Sequence, residues 1–138
     1  MISRGLKNNN PFNIRRNSNN KWLGRIPFSE STDNDFEQFK TMKYGLRAGI
    51  ILLRNYIRSG FNTPSKIVNR FAPSIENNTS NYIKYVCSVV GVDSVYCIRL
   101  GSPQFFYLVS AICYYESRYY VSIVDLQDIC FTFKIKLN

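Results

Sequence analysis

The sequence predicts a mainly α fold, α+β at most, folded as one domain over residues 1–138. Three observations carry that expectation. Apolar residues recur at helical spacing in the middle of the chain. Hydroxyl–proline pairs stand where helices would begin. And 138 residues, 45% hydrophobic and 15% aromatic, suffice for one packed core and fall short of two.

The elements follow in order. Residues 1–35 are dense in Asn, Ser, Pro and Gly with apolar side chains placed singly, the pattern of turns and short extended pieces. From about 43 to 59, Leu46, Ile50, Leu53 and Ile57 trace one helical stripe, widened by Leu52 and Tyr56 and closed by Gly60. Thr63-Pro64 supplies a cap and a first helical proline, and Ala72-Pro73 ends that helix. Asn77-Asn78-Thr79 can cap a helix carrying Tyr82, Ile83, Val86 and Val90 into Gly91. Ser102-Pro103 repeats the starting device ahead of Phe105, Leu108, Val109 and Ile112. The stretch from about 121 to 130 is β-prone and reads equally as helix or strand. No internal repeat or linker interrupts the chain.

Charge and reactive residues narrow the function. Residues 1–72 hold 13 Lys/Arg against 4 Asp/Glu, whereas residues 73–138 hold 5 of each, so the first half carries the whole net charge of +9. A basic half calls for an anionic partner: nucleic acid, a lipid surface or a cell wall. No nucleic-acid motif is present, and nucleic acid is not expected as the partner. No apolar run suits a membrane span or a secretory signal, which implies synthesis in the cytoplasm. There is no histidine, which removes His-based triads. Cys87, Cys97, Cys113 and Cys130 are far apart, and neither a metal nor another cofactor is expected. They read as ordinary buried thiols.

Proton chemistry therefore falls to nine carboxylates. Glu116 continues the stripe of residues 105, 108, 109 and 112, so a helix reaching that far would partly desolvate it and favour the protonated, proton-donating form. A helix ending by Tyr115 would instead leave it in solvent. Glu76, just ahead of a helix cap, would be held ionised by the helix dipole and suit a base or charge stabiliser, or would only support the cap. The acidic run Glu30 to Glu37 has the look of a solvated loop. Tyr82 and Trp22 offer faces for stacking on sugar rings, or core packing.

Motifs add to this reading. The run Arg4-Gly5-Leu6-Lys7-Asn8-Asn9-Asn10-Pro11-Phe12-Asn13-Ile14-Arg15-Arg16 is followed by Trp22-Leu23-Gly24, Phe36-Glu37-Gln38-Phe39 and Tyr44-Gly45-Leu46-Arg47-Ala48. Together with Ala72-Pro73-Ser74-Ile75-Glu76-Asn77-Asn78-Thr79-Ser80-Asn81-Tyr82 it resembles a phage and prophage family of virion-associated lysozyme-like proteins. Those proteins open R-G-I-R-N-N-N-P-G-N-I-R and later read W-A-P-x-x-E-N-x-T-x-x-Y. A more distant similarity is to the flagellar-type glucosaminidases, whose catalytic glutamate lies in a helix ending E-S-G before the first motif. Here Leu108 to Ser117 resembles that helix placed at the other end, so the resemblance implies a circularly permuted lysozyme-like domain.

The resemblance implies that Glu116 is the general acid, with Glu76 as a second carboxylate. It places Tyr82 as the active-site tyrosine, and Asn10, Asn13 and Ile14 with Trp22 along the substrate groove. Phe12, Phe71 and Arg118 stand where the relatives have Gly, Trp and Gly. The implied activity is cleavage of β-1,4 bonds in peptidoglycan by a muramidase, glucosaminidase or lytic transglycosylase. The protein would be a monomer that reaches the wall through lysis or with the virion. The alternative is a non-catalytic virion or wall-binding protein that keeps the groove.

Overall fold

The computed structural model describes residues 2–72 and 78–138. Six helices are present among them: α1 (Arg4–Lys7), α2 (Met42–Arg58), α3 (Pro64–Phe71), α4 (Thr79–Val90), α5 (Pro103–Ser117) and α6 (Ile123–Thr132). In place of a sheet there are two isolated antiparallel bridges, Arg15 with Phe36 and Arg25 with Phe39, which tie the long N-terminal segment into a loop bundle. The mainly α expectation holds. No helix among the described residues is long and apolar enough to cross a membrane.

Helix α5 is the hub because most of its circumference is apolar and buried. Phe105, Leu108, Val109, Ala111, Ile112 and Cys113 are all buried, and only a narrow strip through Tyr107 and Tyr114 meets water. It packs against α1, α2, α4 and α6, while α3 bridges α2 and α4. Helix α2 presents only a stripe, Leu46, Ile50 and Leu53, as its spacing requires. Burying so much aliphatic and aromatic surface, at roughly 25 cal/mol per Å², is what holds the helices together.

The caps act largely as read. Thr63 Oγ1 accepts the Lys66 amide at 3.2 Å, Asn78 Oδ1 accepts the Asn81 amide at 3.2 Å, and Gly91 closes α4 at φ 79°. Ser102 differs: its hydroxyl donates backwards to the Arg99 carbonyl at 2.6 Å, and proline alone starts α5. The ambiguous stretch near 121–130 is helical. Ser122 accepts the Asp125 amide at 3.1 Å, and Leu126 and Ile129 then land together on the core. Helix α1 is an addition to the irregular N-terminal segment, a single turn capped by Ser3.

Two local expectations are corrected. Only Cys113 of the four free cysteines is buried, while Cys97 is exposed. The acidic run is only half a solvated loop: Glu30 and Asp35 are exposed, but Glu37 is 0% and Asp33 7% exposed. Arg25 grips Glu37 at 2.8 and 2.6 Å, and Arg4 forks onto Asp33 at 2.6 and 2.7 Å. That fork, the largest cause, holds the Asp33 carboxyl well below the usual range. Paired in this way, both carboxylates become struts of the loop bundle.

Candidate functional site

Helix α5 does run past Tyr115, and this fixes the setting of Glu116. Its last residue is Ser117, and Arg118 ends it in the left-handed conformation at φ 59°, with its amide returning to the Tyr114 carbonyl. A non-glycine residue seldom adopts that conformation, and this is the position where the resemblance expects glycine. The guanidinium of Arg118 lies 5.6 Å from the Tyr114 ring centroid and 5.9 Å from that of Tyr115.

Glu116 is half-buried at this helix end, and two side chains hold its carboxyl. The Tyr82 hydroxyl, from α4, donates to Oε2 at 2.8 Å. Asn13 Nδ2, from the N-terminal loop, donates at 3.2 Å both to Oε1 and to the Glu116 backbone carbonyl. Chain segments about a hundred residues apart thus meet on one carboxyl group. Asn13 itself sits at φ 53°. Its Oδ1 is buried without a hydrogen-bond partner, facing Gly5, where an added Cβ would stand 2.9 Å away.

The proton affinity of Glu116 is the sum of opposed effects. Burial dominates and pushes its pKa above the ordinary glutamate value, while the hydrogen bonds from Tyr82 and Asn13 pull it down. Its place in the last turn of α5, the negative end of the helix, acts in the same direction as burial. Burial also drives Tyr82 well above the ordinary tyrosine value, and the neighbouring carboxylate adds to this, so Tyr82 stays a neutral donor.

A stability test follows from the raised pKa. The folded state holds the Glu116 proton to higher pH than the unfolded chain does, so this group favours folding in acid. That contribution is lost as pH rises through the folded pKa. Replacing Glu116 by Gln should therefore raise Tm at pH 7. At pH 4 the gain should vanish. A variant no more stable than the parent at pH 7 would show that the carboxylate bears no burial cost.

The carboxyl opens on a groove of about 610 Å³, lined by Asn13, Ile14, Arg15, Arg16, Phe36, Tyr56, Arg70 and Phe71 among others. Of the residues read from the sequence, Glu116, Asn13 and Ile14 line this groove, and Tyr82 stands directly behind the acid. Tyr82 is fully buried and stacked at 3.8 Å on Tyr115, so its ring is no sugar platform. Asn10 is also fully buried: its amide bonds the carbonyls of Ile14 and Glu37 and the amide of Ile14, each at 3.0 Å, and has nothing left for a substrate. Trp22 packs half-buried against the core and does not line the groove. Glu76 lies outside the described residues.

The sequence reading missed Arg16, Tyr56 and Arg70 as groove residues. Arg16 rests 3.9 Å from the Phe28 ring centroid and donates to the Asp33 carbonyl at 3.0 Å. Arg70 lies 5.9 and 5.4 Å from the Tyr56 and Phe61 centroids. No group of three or more potential metal-binding side chains is found among the described residues.

Fold and site together define a small helical protein with one half-buried glutamate opening on a basic, aromatic groove. No family model matches the chain. Over 93 residues it is 41% identical to Protein P5 of Pseudoalteromonas phage PM2. The match takes in 65% of this chain and 57% of that protein, so the chain spans a little over half the length of this phage relative.

Proposed function

We propose that this protein cleaves the β-1,4 glycan backbone of peptidoglycan, as a hydrolase or lytic transglycosylase in which Glu116 is the general acid. One observation carries the reading: a carboxyl whose burial favours the protonated form opens on a groove of about 610 Å³ while two donors fix both its oxygens. Protonated Glu116 gives its proton to the leaving glycosidic oxygen as the C–O bond breaks. The carboxylate so formed is the species that Tyr82 and Asn13 stabilise. It then takes a proton from the nucleophile, which is water in hydrolysis or the sugar's own 6-hydroxyl in anhydro-product formation. One carboxylate serves both half-reactions. Similarity to a phage protein supports a role in phage entry or lysis, with delivery to the wall by lysis or by the virion.

One observation favours the non-catalytic alternative: Glu116 is the sole carboxylate among the described groove residues. Purified peptidoglycan separates the two readings. Enzyme should release dye-labelled fragments, with new reducing ends for hydrolysis and anhydro ends for transglycosylation. Retention on sacculi with no fragment release would replace the enzymatic reading with the binding one.

A further inference from the structure

Apart from Glu116, every residue lining the groove comes from the basic half of the chain, residues 1–72. Arg16 and Arg70 are held by rings and, for Arg16, a backbone carbonyl. Among the described residues these partners are neutral, so neither guanidinium is spent on a carboxylate. The rings also restrict their motion, which lowers the entropy cost of docking an anion. A guanidinium offers a planar fork matched to carboxylates, and such charge-assisted bonds are about twice as strong as neutral ones. A neutral sugar chain would gain nothing comparable from either residue.

We propose that Arg16 and Arg70 make this groove selective for an acidic glycan, one whose sugars carry carboxylate-bearing lactyl and peptide substituents, over a neutral β-1,4 chain of the same backbone. The ligand class rests on the glycan-cleaving reading above; the selectivity rests on the two arginines. They are specificity-determining groups at the groove wall, separate from the proton chemistry of Glu116.

The test is a binding measurement, so that it does not depend on turnover. The full chain carrying Glu116→Gln holds strands uncut, and calorimetry compares peptide-bearing glycan strands with N-acetylglucosamine oligomers of matched length. The acidic strands should bind about tenfold tighter at low ionic strength, the scale of one charge-assisted hydrogen bond. The gap should narrow as salt rises. Added to that background, Arg70→Gln should remove most of the preference by weakening the acidic strands far more than the neutral oligomer, with Arg70→Lys restoring part of it. Arg16→Gln provides a second, independent variant. Equal affinity for the two glycans, or arginine variants that weaken both alike, would overturn the proposal. A parent that cleaves neither glycan yet prefers the acidic one would sink the enzymatic reading and leave the selectivity standing.

Discussion

Glu116→Gln should lower peptidoglycan cleavage by about 10²–10⁴-fold, the loss typical of a removed general acid, while the protein stays folded. The amide is close in shape to the carboxyl, and its oxygen can still accept from Tyr82 or Asn13, so the α4–α5 contact and the loop anchor survive. The variant lacks a transferable proton. Burial has raised the proton affinity of Glu116, and such a group is protonated over more of the working pH range than an ordinary glutamate. The parent should accordingly lose activity on the alkaline side as Glu116 ionises, and the variant should have no such limb. Initial rates of dye release across pH, with circular dichroism as the folding control, decide the matter. A variant within about threefold of the parent would remove Glu116 from the chemistry and turn attention to Glu76.

Much of this site was legible because a helix has a period. Phe105, Leu108, Val109 and Ile112 lie on one stripe, and a carboxylate four residues further on had to share their surroundings once the helix reached it. The meeting of Asn13 and Tyr82 on Glu116 was not periodic information; it came from motif resemblance, and the geometry places the three together. Asn10 misled for a physical reason. In an irregular loop the backbone has few partners of its own, so a buried Asn amide is consumed in satisfying carbonyls before any ligand arrives. The groove arginines stayed hidden because Arg16, in the N-terminal loop, and Arg70, on α3, reach one groove only through the tertiary fold. Helix α6 was ambiguous because, over ten residues, β-branched composition opposes a cap and a short apolar spacing. Packing on α5 and α2 then favours the helix.

Gly49→Ala should destabilise the protein by about 2 kcal/mol or more, lowering Tm by roughly 5–8 °C. The sign is the informative part, since glycine to alanine inside an unconstrained helix stabilises by about 1 kcal/mol. Gly49 lies in the interior of α2, and a Cβ built on it would run into the ring of Phe12. Phe12 is 0% exposed, held between the pinned Asn10 and the Glu116 partner Asn13, so the ring has little room to retreat. The bulky side chain that stands where the resemblance expects glycine is thus accommodated by a missing side chain on the facing helix. Pairing accounts for both positions, and it makes a double-mutant prediction. Phe12→Ala alone should cost about 3–5 kcal/mol through the cavity it leaves. Combined with Gly49→Ala, the new methyl occupies part of that cavity, and the total should fall short of the sum of the two by 1 kcal/mol or so. Denaturant unfolding of the four proteins supplies the cycle. A Gly49→Ala protein as stable as the parent, or strictly additive costs, would show that the ring does not depend on the glycine.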